Sequence, residues 1–256
     1  MTDTQVRDAV ADDFATIGAI AEAGDSHADE LYLSFVASTG SLRVAVGADG
    51  ETLGFGGVIG IGNDTSMLTD LFVTPAARGH GVGGRLLGDL LDGRDRRMTF
   101  SSQHAAALPA YVRAGMLPTW RLLYLRGSSG TSDVGDTSGI TEESASVPAW
   151  RGRRPDLAAY FERRGGSVLD NAALIVDHDG TTAIARLQDP RGAAAFDALL
   201  ASLPSDSSVT CCSPEHSPVA ARALARGFEV FDHDVFCCSP GVVFADDLHC
   251  LDPGLC

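Results

Sequence analysis

Two hydrophobic periods alternate along the first half of the chain. Residues 6–10 alternate as a short strand, and residues 12–23 carry Phe14, Ile17, Ile20 and Ala21 at helical spacing behind an acidic first turn. A second helix is expected over about residues 28–37. Residues 41–46 and 53–61 alternate on either side of Ala48-Asp49-Gly50-Glu51, which predicts a hairpin. A strand over 67–73, a glycine-rich loop, a helix over 81–91, a strand over 97–101, a helix over 108–114 and a closing strand over 122–125 complete the order β-α-α-β-β-β-α-β-α-β.

Composition sets the class. The 256 residues are 45% apolar and 21% charged, with 29 Gly and 11 Pro, which excludes collagen-like, coiled-coil and disordered chains. The formal charge is −15, and every basic residue is Arg. Nucleic acid and anionic membrane both need positive surface, so neither is expected as a partner, and a small, cationic molecule fits better. No run approaches the about 18 apolar residues of a membrane span, and the N-terminus lacks a basic then apolar leader, so a cytoplasmic location is expected. The six cysteines, Cys211, Cys212, Cys237, Cys238, Cys250 and Cys256, lack zinc or redox spacing and are expected as buried thiols. No metal is expected.

Between about 127 and 148 the chain turns to Gly, Ser, Thr, Asp and Glu, a linker composition. Two domains are therefore expected, 1–127 and 149–256, joined by 128–148, with the second half the more acidic.

The densest chemistry lies in Leu71-Phe72-Val73-Thr74-Pro75-Ala76-Ala77-Arg78-Gly79-His80-Gly81-Val82-Gly83-Gly84. A strand ends at Pro75, and a helix opens near Gly81 with backbone N–H groups uncovered by side chains, an arrangement that binds anions such as pyrophosphate. Gly79-x-Gly81-x-x-Gly84 fits the dinucleotide fingerprint, but the acidic residue required about 20 positions later is missing. The stretch Arg78-x-x-Gly81-x-Gly83 after Leu71-Phe72-Val73-x-Pro75 instead resembles the acyl-CoA loop of the GNAT superfamily of N-acyltransferases, and the element order over 4–126 is similar to that fold.

The resemblance implies an α/β (α+β) protein with a mixed, mostly antiparallel sheet flanked by helices, and acetyl-CoA as acyl donor. It implies that backbone N–H groups of Arg78, Gly79, His80, Gly81, Val82, Gly83 and Gly84 hold the pyrophosphate. Pantetheine would pair with Leu71 and Val73 around Phe72, where the strand bulges at Leu71 and splays from its neighbour. His104-Ala105-Ala106-Ala107-Leu108-Pro109-Ala110-Tyr111 with Gly115-Met116 resembles the family segment whose Tyr protonates the leaving thiolate, which makes Tyr111 the acid. The family's usual Glu is replaced by Thr69, so a water chain to Asp70 or His104 is the expected route for the amine proton. Asp25, His27, Asp29 and Glu30 lie where relatives bind the acceptor.

In the second half, the segment from His216 through Ala223 to Gly227-Phe228 repeats the spacing of His104, Tyr111 and Gly115-Met116, with Ala at the tyrosine position. Leu187-Gln188-Asp189-Pro190-Arg191-Gly192 repeats the strand and Pro, followed by Ala193, Ala194 and Ala195 where the first half has glycines. This half resembles a degenerate second GNAT domain beside a catalytic one over 1–127. The expected activity is acetyl transfer from acetyl-CoA to a small primary amine by direct attack in a ternary complex. A non-catalytic acyl-CoA-binding or regulatory protein is the alternative, and monomer and homodimer both stay open.

Overall fold

A computed structural model describes residues 4–130 and 150–255. The chain divides into two compact units. The first comprises the chain up to Thr119 together with Val235–Val243 and a short piece from Pro253. Its elements are β1 (Gln5–Asp8), α1 (Phe14–Glu22), α2 (Glu30–Thr39), β2 (Gly40–Val46), β3 (Thr52–Gly62), β4 (Thr65–Val73), α3 (Val82–Leu91), β5 (Arg96–Ser101) and α4 (Ala107–Arg113). Their order is the one the hydrophobic periods predict.

Strands β1 to β4 run antiparallel in sequence order, and β5 lies parallel to β4 after the α3 crossover. Adjacent residues on a strand face opposite sides, and two glycines of β3 show what covers each side. A Cβ on Gly56 would lie 2.6 Å from Leu90 of α3, and one on Gly57 would lie 2.9 Å from Val36 of α2. Helices α2 and α3 therefore pack on opposite faces, and the missing side chains let them approach. Tyr111 of α4 joins Leu87, Leu90 and Leu91 of α3 in one cluster over Val58 and Leu68. On the other face Phe55 and Phe72 stack at 5.3 Å.

The second unit comprises Trp120–Asp234 and Phe244–Asp252. It contains most of β6 (Leu117–Ser128), then α5 (Trp150–Arg153), α6 (Pro155–Arg163), β7 (Ser167–Val168), β8 (Ala172–Val176), β9 (Thr182–Gln188), α7 (Ala193–Ser202), β10 (Ser208–Pro214), α8 (Pro218–Ala225), the first part of β11 (Glu229–Cys238) and β12 (Leu248–Leu251). Strands β9 and β10 are parallel across α7, as β4 and β5 are across α3. Phe196, Leu199 and Leu200 of α7 pack on Leu125, Val209 and Phe228.

The units do not divide at 127. Residues 122–125, expected to close the first sheet, lie in β6, which pairs antiparallel with β10. Beside β5 the strand is instead residues 235–238, with Val235 opposite Ser101 and Cys238 opposite Met98. Arg97 and Ser239 hold this register: the Ser239 N–H donates to the Arg97 carbonyl, and the Ser239 hydroxyl accepts from the Arg97 N–H, both at 2.9 Å. Phe100 and Phe236 pack at 5.3 Å beside them. Of the expected linker, Ser129 is buried and bonded to Ser207 and Pro204, while 131–148 lie outside the described residues. Cys211, Cys237 and Cys250 are buried thiols, Cys212 and Cys238 are partly buried, and Cys256 lies outside the described residues. Among the described residues no helix is long and apolar enough to cross a membrane.

Candidate functional site

After β4 the chain makes a tight turn over Pro75–Ala77 and crosses two left-handed glycines, Gly79 at φ +80° and Gly81 at φ +83°. Only glycine adopts this region without steric cost. Gly81 is the N-cap of α3, and no side chain caps the helix. The first N–H groups of a helix have no intrahelical acceptor and carry about half a positive charge together. A Cβ at Gly79, Gly81 or Gly84 would meet open space, whereas one at Gly83 would touch Val73. His80 is exposed, and Val82 is buried against Ala45, Ala77 and Leu86, so Val82 contributes backbone alone. Arg78 is exposed and its Nε donates to the Val73 carbonyl at 3.1 Å.

The turn leads back to a strand edge that, among the described residues, no other strand pairs. Pairing of β4 with β5 covers residues 65–67 against 96–98 and then stops. The Thr74 N–H donates to the Leu53 carbonyl at 2.9 Å, in the register that sets Phe72 opposite Phe55. Hydrogen-bonded pairs alternate along an antiparallel ladder. Leu71 and Val73 therefore turn their N–H and C=O groups away from β3, toward the side that β5 has left. The bulge itself lies at Thr69 and not at Leu71: Asp70 pairs with Gly57 and Leu68 with Val58, leaving Thr69 as the extra residue. This shift turns Asp70 away from the apolar cluster that holds Leu68.

Asp70 of β4 and Tyr111 of α4 lie on opposite faces of the sheet. Asp70 is buried and its Oδ2 accepts from the Tyr32 hydroxyl at 2.6 Å and the Thr69 hydroxyl at 2.8 Å. Tyr111 is buried in the α3 and α4 cluster, where Leu71 packs against it. His104 is not part of this arrangement: it is exposed, and its Nδ1 accepts the Ala106 N–H at 3.2 Å in the turn that opens α4. Asp29 is the N-cap of α2, accepting the Tyr32 N–H at 2.8 Å. Asp25, His27 and Glu30 are exposed, with His27 3.9 Å from Asp29. None of these four lines the cavity of about 290 Å³ on the α1 side, whose walls include Thr16, Ile20, Phe72, Val73 and Arg78. Tyr32 and Gly57 carry no sequence signal of a site, since the first reads as one more apolar helix position. Among the described residues no group of three His, Cys, Asp or Glu is placed to hold a metal ion.

The corresponding turn of the second unit is filled. Asp189 accepts the Arg191 N–H at 2.9 Å and the Asn171 amide at 2.8 Å, and forms an ion pair with the Arg191 side chain at 2.7 Å. Burial alone would raise this carboxyl, but the Arg191 side chain and N–H, Asn171 and the Arg191 charge outweigh it and bring the pKa down to about 2. A Cβ on Gly192 would lie 2.9 Å from Pro218 and 3.3 Å from His249. Ala223, at the tyrosine position, is fully buried.

Residues 6–116 match the model of the acetyltransferase (GNAT) family. Similar folds span nearly the whole chain. A Pyrococcus horikoshii protein, provisionally described as an acetyltransferase, aligns over 98% of this chain and 95% of its own at 16% identity and a TM-score of 0.70. A GCN5-related N-acetyltransferase from Sphaerobacter thermophilus covers 94% and 98% at 15% identity and a TM-score of 0.55. One from Anabaena variabilis covers 92% and 72% at 12% identity and a TM-score of 0.56. No curated protein matches the chain in sequence.

Proposed function

Starting from the premise that residues 6–116 form a domain of the acetyltransferase (GNAT) family, we propose that the first unit transfers an acetyl group from acetyl-CoA to a small primary amine. The observation that carries this is the continuity of an uncapped, glycine-open helix start with the unpaired edge of β4 at Leu71 and Val73. The N–H groups at the start of α3 suit a pyrophosphate, and the strand edge suits the amide-bearing pantetheine arm. The Val73 N–H, aimed away from β3, can polarise a thioester carbonyl placed along that edge.

The residues divide the proton work by face. An amine protonated at neutral pH must lose a proton before it attacks, and Asp70, on the α2 face, accepts that proton through water. The amine then forms its bond to the carbonyl carbon, the carbon–sulfur bond breaks, the thiolate takes the Tyr111 proton from the α4 face, and the second proton leaving the nitrogen returns through water to the Tyr111 phenolate. A phenol with a pKa near 10 is a competent acid toward a thiolate of comparable basicity. The filled Asp189 turn and Ala223 support reading the second unit as a GNAT-like domain that has lost CoA binding.

One observation favours a binding protein without turnover: residue 69, where the family resemblance implies a Glu, is Thr. Calorimetry with CoA, followed by thiol release from acetyl-CoA over a panel of primary amines, separates the two. An enzyme binds CoA and releases thiol with at least one amine. Binding without release over the whole panel refutes catalysis.

A further inference from the structure

At the bulge of Thr69 two hydroxyls converge on one oxygen. Tyr32 from α2 and Thr69 from β4 both donate to Asp70 Oδ2, at 2.6 Å and 2.8 Å. Gly57 of β3 makes the space, since a Cβ there would lie 2.5 Å from the Thr69 hydroxyl and 3.4 Å from Asp70 Oδ2. The Asp29 cap in turn fixes the backbone from which Tyr32 projects. An oxygen that accepts two O–H donors carries no proton of its own. Both donors therefore hold the Asp70 carboxyl in one orientation, one residue before the edge where Leu71 faces the split.

Leu33, Phe35 and Val36 beside Tyr32 on α2 are buried and apolar, whereas the Tyr32 hydroxyl is directed at Asp70. Packing alone would be served by Phe. We propose that Tyr32 is a positioning residue for acyl transfer, one that orients Asp70 to receive the proton of the acceptor amine. The inference rests on the reading of the first unit as an amine acetyltransferase and adds to it the groups that stand in for the missing Glu. In this site a hydroxyl pair and a displaced Asp replace a single longer carboxylate.

The test is a double-mutant cycle on the full chain, with acetyl-CoA and spermidine, glucosamine, tryptamine and lysine as acceptor probes. Tyr32→Phe keeps the ring, and hydrogen bonds to charged groups set the expected loss in kcat at about 10- to 100-fold, with KM for acetyl-CoA unchanged. Asp70→Asn loses more, and the double variant loses no more than Asp70→Asn alone, because Tyr32 acts through Asp70. If Asp70→Asn does not fold, Thr69→Val replaces it in the cycle, and losses that do not simply multiply support the shared oxygen. Parent kcat in Tyr32→Phe, or losses that multiply, overturns the inference while leaving the acetyltransferase reading intact. A parent chain that binds CoA yet releases thiol with none of the amines overturns both.

Discussion

A valine at Gly84 tests the anion seat without disturbing the turn that forms it. Gly84 is in the first turn of α3, lacks a left-handed φ, and has open space where a Cβ would project. Valine there replaces a poor helix former by a slightly better one, so stability changes by a few tenths of a kcal/mol at most, in the favourable direction. If pyrophosphate occupies that space, the branched side chain displaces it from one or two N–H donors. Charged hydrogen bonds contribute about 1.5 to 3 kcal/mol each, so the CoA dissociation constant rises at least about tenfold and toward a hundredfold. Gly88→Val is the internal control, one turn further along α3 and equally open. Calorimetric titration with CoA, paired with thermal unfolding, reads both quantities. Gly81→Ala supplies the contrast: at φ +83° its methyl costs about 1 to 2 kcal/mol of strain, so it lowers the unfolding temperature as well as affinity. Parent affinity in Gly84→Val, with the fold intact, refutes the assignment of the α3 N-terminus to CoA.

Tyr111→Phe keeps the buried ring but removes the proton donor, so kcat falls by about 10² to 10⁴ while CoA affinity stays at the parent value; an unchanged single-turnover rate makes Tyr111 a packing residue. The Asp189 carboxyl, held near 2 against an unfolded value of 3.8, contributes stability that is fully present above about pH 4 and is lost as pH falls through about 2. Denaturant titrations between pH 5 and pH 2 check this: Asp189→Asn flattens the acid loss, and an unchanged slope refutes the role. With a buried carboxylate beside the split and a −15 chain, cationic amines are turned over faster than anionic ones, and a preference for an anionic amine reverses that expectation.

The secondary structure of the first unit was legible because each element carries its own period. Phe14, Ile17, Ile20 and Ala21 mark α1, and the hairpin of β2 and β3 shows its turn. The glycine-rich turn was legible for the same reason, since Gly79 and Gly81 are local conformational demands. What failed to show were partners distant in sequence. Residues 122–125 are a short apolar run that fits beside any strand, and nothing in Leu122-Leu123-Tyr124-Leu125 says that β10 is its neighbour. The partner of Asp70 beside the bulge is Tyr32, a residue in another element. Of the acidic residues near the first helix pair, Asp29 caps α2 through one of its oxygens, a role the sequence does not announce. Charge alone does not distinguish a cap from a ligand.

The strand supplied to β5 from residues 235–238 has a consequence for biosynthesis. At translation rates of about 5 to 20 residues per second, β5 leaves the ribosome on the order of ten seconds before its neighbour has been made. Throughout that interval the nascent chain presents a bare strand edge, the kind of surface that recruits chaperones or a second nascent chain. A gene cut at residue 127 makes that interval permanent. The N-terminal fragment is expected to aggregate on expression, and to be rescued by co-expressing the remaining residues on a separate message.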